Sequence, residues 1–173
     1  GYYQAGQSCI SVQRVLVASE VYDDFAARLT KQVEQLKVGD PMDETVDVGP
    51  VITQSEVDRI AEWVREAEAQ GAEVLTGGTA DGPFFAPTLI SQTTPQMKVR
   101  CEEVFGPVCT ITPYQTFDEA LAEVNDSKYG LQAGVFTNDI NRAFEAHRTL
   151  EVGGVIVNDV SAFRADQMPY GGS

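Results

Sequence analysis

The feature that most constrains this chain is a rhythm. Four stretches with apolar residues at helical steps alternate with short runs rich in β-branched residues, which is the pattern of an α/β fold. The expected architecture is three-layered, a mostly parallel sheet flanked by helices. In the first helical stretch Phe25, Leu29, Val33 and Leu36 recur at steps of four and three. Asp23 and Asp24 are its cap candidates, and it ends before Gly39-Asp40-Pro41. The second opens with Thr53-Gln54-Ser55-Glu56, a capping box in which the Thr hydroxyl and the Glu carboxylate can each satisfy a free backbone N–H. Val57, Ile60, Ala61, Val64 and Ala67 then form its stripe, and Gly71 stops it. The third repeats the device with Thr116 and Glu119, burying Phe117, Ala120, Leu121 and Val124. The fourth follows Asn138-Asp139, offers Ile140, Ala143, Phe144, His147 and Leu150 to a core, and ends at Gly153-Gly154. Strand candidates are Val12 to Val17, Val108 to Ile111, Ala133 to Phe136 and Val155 to Val157. With no internal repeat, low-complexity tract or linker, the chain is expected to form a single domain.

Composition narrows the class. In 173 residues, 43% are apolar, enough for a core, so a disordered or collagen-like chain is excluded. Twelve Lys and Arg against 26 Asp and Glu leave a net charge of −14, the wrong sign for holding a phosphate backbone, so no nucleic-acid partner is expected. No eighteen-residue apolar run occurs, and Gly1-Tyr2-Tyr3-Gln4 has neither a basic nor an apolar leader. No membrane span and no export signal are therefore expected. An odd count of three cysteines without repeated spacing does not read as a disulfide framework, which makes a reducing cytoplasm the expected setting. With one histidine, His147, usable zinc ligands are too few, and no metal is expected. Both ends read as cut rather than finished.

Three places carry candidate chemistry. In Gly6-Gln7-Ser8-Cys9 a glycine turn delivers a small side chain just ahead of a regular element. A helical turn beginning there would favour a thiolate and hold an oxyanion on its N-terminal amides; a buried inert cysteine is the plain alternative. Cys109 reads as a core residue within an apolar strand, and Cys101 precedes two acids, Glu102 and Glu103, so neither reads as a nucleophile. His147, the single imidazole, reads as a core-facing structural residue. In Glu102-Glu103-Val104-Phe105-Gly106-Pro107 a carboxylate stands beside an aromatic plate, a chemical match for a ribose diol and an adjoining flat ring, and equally a solvated loop. From Asn158 to Tyr170, Phe163, Arg164, Asp166, Met168 and Tyr170 crowd a loop after a buried strand, where α/β sheets hold ligands. A surface ion pair between Arg164 and Asp166 is the equal alternative.

The order of the pieces is more specific than any one of them. Gly6-Gln7-Ser8-Cys9, Arg14-Val15-Leu16-Val17, Gly49-Pro50, Gly77-Gly78, Phe85-Ala86-Pro87-Thr88-Leu89, Glu102 to Pro107, Tyr129-Gly130-Leu131, Val157-Asn158 and Pro169-Tyr170-Gly171-Gly172 follow one another in this chain. Together they resemble the catalytic domain of the NAD(P)-dependent aldehyde dehydrogenases over the whole length. The resemblance implies that residues 1–173 are the thiol-bearing catalytic domain, truncated at both ends. It implies that Cys9 attacks an aldehyde to give a thiohemiacetal, that hydride passes to NAD or NADP, and that water hydrolyses the thioester. It makes the Cys9 backbone N–H half of an oxyanion hole, Glu103 the acid that binds the nicotinamide ribose and Phe105 the aromatic that steadies the nicotinamide. Ser8 and Ile10 would flank the nucleophile, and Phe163, Arg164 and Tyr170 would line the aldehyde entrance. Glu56 and Arg59 stand where the family often has a Gln and a Lys that touch the cofactor.

In the family the dinucleotide-binding domain, the second oxyanion donor and the acid that activates water precede the nucleophile. None is present in this sequence, so the 173 residues alone are expected to be inactive. The resemblance further implies a small functionalised aldehyde such as lactaldehyde or a semialdehyde as substrate, and a homodimer or homotetramer for the full-length protein. Two readings of other classes stand beside it: a catalytically silent α/β assembly domain, and a thiol hydrolase or acyltransferase using Cys9 and His147.

Overall fold

A computed structural model describes residues 1–172. The chain divides into two compact units, Gly1–Pro113 and a second that begins at Tyr114. The first is built on a four-stranded sheet. Its strands are β1 (Arg14–Ala18), β2 (Glu73–Thr76), β5 (Thr88–Ser91) and β6 (Val108–Tyr114, ending at the boundary), in the order β1-β6-β5-β2. A hairpin of β3 (Ala80–Asp81) and β4 (Phe84–Phe85) is separate from it. The helices are α1 (Tyr22–Glu34), α2 (Gln54–Ala69) and a single turn, α3 (Lys98–Cys101).

Alternation along the central strands makes the layers. Ile90 and Val108 pack into a core with Val57, Ile60, Val64 and Ala67 of α2. Their neighbours Leu89 and Cys109 pack into a second core with Ala26 and Leu29 of α1. Adjacent residues of a strand point to opposite faces, so α1 and α2 cover opposite sides of the sheet. With both faces covered, Thr88–Ser91 are buried throughout, as a central strand between two helical layers must be. The expected α/β layering is present, with an edge the rhythm did not indicate. β5 and β6 run parallel, Thr88 opposite Val108 and Ile90 opposite Thr110. β2 pairs antiparallel with β5, Glu73 opposite Ser91, and a bulge separates Val74 from Thr76, so the sheet is mixed.

The second unit holds α4 (Phe117–Asn125), β7 (Gln132–Val135), α5 (Ile140–Thr149) and β8 (Gly154–Val157). β7 and β8 pair in parallel, Gln132 opposite Gly154 through Val135 opposite Val157. Leu121, Ala146 and Leu150 form its core, with Phe117, Val124, Ala133, Val135 and Val155 packed against them.

Three local expectations are corrected. Asp23 and Asp24 lie inside the first turn of α1; Val21 is the N-cap residue and gives no side-chain cap. Of the α2 capping box only half forms: Thr53 Oγ1 accepts from the Glu56 N–H at 3.3 Å, while the Glu56 carboxylate turns to Arg59 at 2.6 Å. In α5 the buried face is Ala143, Ala146 and Leu150, and Ile140, Phe144 and His147 are exposed. The small alanines allow close packing on that side, which leaves the bulkier stripe outside. His147 is therefore a surface residue, not the core histidine its spacing indicated. Among the described residues no helix is long and apolar enough to cross a membrane.

Candidate active site

The segment carrying Cys9 is held in an uncommon backbone conformation. Gln4, Ala5 and Gly6 all have positive φ, +50°, +53° and +71°. Two non-glycine residues in the left-handed region cost on the order of 1–3 kcal/mol each, so the surroundings must impose them. Ala5 is buried, and Gly6 lies so close to the next loop that a Cβ there would collide with the Gly106 carbonyl oxygen. Gly6 thereby presses the Cys9 segment against Gly106-Pro107. Gln7 ties the same segment to the loop before α2: its Nε2 donates to the Pro50 carbonyl at 3.2 Å, and its Oε1 accepts from the Ile52 N–H at 2.8 Å.

The backbone then turns, the Ser11 N–H donating to the Ser8 carbonyl at 2.9 Å, and passes directly into β1. Only this single i→i+3 turn, and no regular helix, forms at Cys9. Its thiol is nevertheless exposed, with Ser8 and Ile10 partly buried on either side. Cys109 is the opposite case. It is buried, its Sγ donates to the Val12 carbonyl at 3.0 Å, and burial pushes its thiol pKa up, so it stays protonated near neutral pH. Cys101 is exposed, and its Sγ lies 3.8 Å from the Gln96 carbonyl.

Glu103 and Phe105 project from the loop that Gly6 touches. Both are exposed, on either side of Val104, which is wholly buried. Gln13 reaches across to this loop, its Oε1 accepting from the Val104 N–H at 2.9 Å and its Nε2 donating to the Glu102 carbonyl at 2.7 Å. Arg59 Nη2 donates to the Val104 carbonyl at 2.6 Å, and its guanidinium lies 4.4 Å over the Trp63 ring. Glu56 and Arg59 thus pair with each other and brace this loop. A carboxylate that can accept from a ribose diol, beside an exposed aromatic face on a braced backbone, fits the nicotinamide half of a dinucleotide. Among the described residues no cluster of three metal-ligating side chains occurs.

Phe163, Arg164 and Tyr170 belong to the second unit. Phe163 and Tyr170 are exposed. Arg164 is not paired with Asp166: its Nη1 donates to the Pro169 carbonyl at 2.9 Å and its Nη2 to the Met168 carbonyl at 2.7 Å, with the guanidinium 4.7 Å over the Tyr170 ring. These bonds fix the orientation of the cation without neutralising it, since both acceptors are uncharged.

Gln7 figures in the sequence only as part of the thiol motif, and Gln13 has no role assigned there. Two carboxamides at positions −2 and +4 from the exposed thiol were the available signal. Each has both a donor and an acceptor to offer a neighbouring loop.

Residues 1–173 match the aldehyde dehydrogenase family throughout, and the chain belongs to that family. It is 51% identical over 171 residues to a 3-sulfolactaldehyde dehydrogenase of Priestia aryabhattai, covering 99% of this chain and 36% of that protein. The chain thus spans about a third of the length of the curated relative. Among solved structures it superposes on aldehyde dehydrogenase 21 of Physcomitrella patens, in complex with the product succinate, with a TM-score of 0.98. That pair is 45% identical over 99% of this chain and 36% of the other. Glyceraldehyde-3-phosphate dehydrogenase GapN of Methanocaldococcus jannaschii, complexed with NADP, gives 0.94 at 36% identity, covering 98% and 37%. A point mutant of betaine aldehyde dehydrogenase of Staphylococcus aureus, in complex with NAD+, gives 0.95 at 36% identity, covering 100% and 36%.

Proposed function

We propose that within a longer polypeptide this chain supplies the nucleophile and the nicotinamide corner of an enzyme that oxidises a small aldehyde to a carboxylic acid. The observation that carries the reading is the exposed Cys9 turn held by Gly6 against the loop bearing Glu103 and Phe105. Cys9, as the thiolate, adds to the aldehyde carbon and forms a C–S bond, giving a thiohemiacetal whose oxygen the Cys9 N–H steadies. A nicotinamide dinucleotide, NAD or NADP, supplies the two-electron acceptor to which the hydride passes. Water then adds to the Cys9 thioester, releasing the acid and restoring the thiol. Glu103 holds ribose hydroxyls and Phe105 backs the nicotinamide ring. Ser8 and Ile10 shape the surroundings of the thiol. The water-activating acid, the second oxyanion donor and the dinucleotide-binding domain belong to sequence outside these 173 residues, which alone are inactive.

The substrate class proposed is a small anionic or hydroxylated aldehyde, with Phe163, Arg164 and Tyr170 at its entrance. Supporting this are the fixed, un-neutralised Arg164 cation and the names of similar proteins, which include sulfolactaldehyde, succinate and glyceraldehyde-3-phosphate chemistry. The full-length enzyme would act in the reducing cytoplasm as a homodimer or homotetramer.

Cysteine labelling and substitution test the reading in the full-length enzyme. Near neutral pH, iodoacetamide should modify Cys9 faster than Cys101 and Cys109, with loss of activity in step. Cys9→Ser should remove aldehyde oxidation while dinucleotide binding remains. Equal slow labelling, or activity that survives Cys9→Ser, would favour the silent-domain reading.

A further inference from the structure

Both backbone groups of Val104 are taken by side chains from elsewhere in the first unit. Its N–H donates to Gln13 Oε1 at 2.9 Å, and its carbonyl accepts from Arg59 Nη2 at 2.6 Å. Neither side chain is free to follow the loop. Gln13 Nε2 also donates to the Val99 and Glu102 carbonyls, at 3.1 and 2.7 Å, and the Gln13 carbonyl accepts from the Thr110 N–H of β6 at 2.7 Å. Arg59 is fixed by Glu56 and by the Trp63 face. Its Nη1 is buried without an acceptor, a cost the rest of the arrangement offsets.

The residue immediately after this clamp is Phe105, at φ +49°, a conformation an aromatic residue adopts only when its surroundings impose it. Gly106 follows, where a Cβ would collide with Ile60. The clamped peptide therefore sets the directions of the side chains at 103 and 105. The bracing begins four residues after Cys9, on the segment that carries the nucleophile.

We infer that Gln13 and Arg59 are positioning residues for the dinucleotide, gripping the Val104 peptide so that the Glu103 carboxylate and the Phe105 ring are presented in one fixed geometry. The inference rests on the reading of Glu103 and Phe105 given above. It assigns Arg59 a role through the protein backbone. The expected signature is selective, because the clamp acts on the corner that meets the dinucleotide and leaves the thiol turn intact.

In the full-length enzyme, Gln13→Met keeps the side chain's length and removes its hydrogen bonds. It should raise the KM and the Kd for the dinucleotide about tenfold, equivalent to ~1.4 kcal/mol. The aldehyde KM should stay within about twofold, and the rate of Cys9 alkylation should not change. Should that variant fail to fold, Arg59→Met and Arg59→Lys decide the matter: Met should weaken the dinucleotide selectively, and Lys, which keeps a donor, should restore part of the loss. Unchanged dinucleotide affinity, or dinucleotide and aldehyde constants rising together, overturns the inference. Failure of the underlying reading is recognised separately, because Glu103→Gln and Phe105→Ala would then leave dinucleotide affinity in the full-length enzyme unchanged, whatever Gln13→Met does.

Discussion

Arg164 shows how one side chain's hydrogen bonds decide between two chemistries. A guanidinium paired with Asp166 would be largely neutralised, whereas one held by the Met168 and Pro169 carbonyls keeps its full charge and a set direction. Stacking on Tyr170 limits it further. In the full-length enzyme Arg164→Ala should therefore raise KM for anionic aldehydes about tenfold, the ~1.4 kcal/mol that a lost charge-assisted bond is worth, and leave neutral aldehydes of similar size unaffected. Steady-state kinetics on a matched pair of aldehydes checks this, and an equal rise for both would remove the cation from substrate recognition. The sequence left Arg164's partner open between Asp166 and a ligand. Only the folded turn at 168–169 brings two carbonyls within reach.

At the scale of elements, two capping motifs of the same pattern behave differently. Around α4 the box is complete: Thr116 Oγ1 accepts from the Glu119 N–H at 3.2 Å, and the Glu119 carboxylate accepts from the Gln115 N–H at 2.8 Å and the Thr116 N–H at 3.4 Å. Around α2 the Glu56 carboxylate is diverted by Arg59, whose other attachment lies 45 residues away at Val104. That distant attachment is why the difference was not legible: a local pattern cannot report a competitor fixed by tertiary structure. The same limit applies to α5: of the expected stripe Ile140, Ala143, Phe144, His147 and Leu150, the fold buries Ala143 and Leu150 together with Ala146 and leaves Ile140, Phe144 and His147 exposed, a rotation of the buried face that a local pattern does not fix. Strands β2 to β5 are not among the strand candidates: β3 and β4 are only two residues long, and β2 and β5, four residues each, carry polar residues (Glu73, Thr76, Thr88, Ser91) at both ends, which leaves only two apolar residues in each. By contrast the thiol turn and the Glu103-Phe105 loop were legible, because their glycines and prolines mark where the backbone must turn.

The capping difference predicts that Thr53→Ala and Thr116→Ala each cost about 1 kcal/mol. It also predicts that the two glutamates separate. Glu119→Ala should speed amide exchange in the first turn of α4, and Glu56→Ala should leave the first turn of α2 as protected as before. Hydrogen-exchange mass spectrometry reads both; equal deprotection of the two helices would mean that Glu56 does cap α2 in solution.

For the molecule as a whole, the net charge of −14 and two weak acids packed in the first unit, Tyr2 partly buried and Cys109 buried, make alkaline pH the vulnerable direction. Tyr2 donates its phenol to the Thr88 carbonyl at 3.0 Å, and Cys109 donates its thiol to the Val12 carbonyl. Burial raises both above their ordinary values of 10.0 and 9.0, so the folded state keeps protons that the unfolded chain releases. For groups whose folded pKa is raised, the stabilisation is complete below the unfolded pKa and is lost as pH climbs above it. Stability should therefore be flat from pH 7 to 8 and then fall, with a limiting slope of about 1.4 kcal/mol per pH unit for each group. Trp63 is the single tryptophan and packs on the core of the first unit, so its fluorescence in urea reports the unit that contains both acids. General repulsion among the surface carboxylates is screened by salt, whereas proton release from Tyr2 and Cys109, packed against the core, is screened much less. The alkaline slope should thus persist in 1 M NaCl, and Cys109→Val should make it shallower from pH 9 upward. A urea midpoint that stays level to pH 10.5 would show that neither proton stabilises the fold, and a slope that salt abolishes would show that the net charge, and not these two protons, sets the alkaline limit.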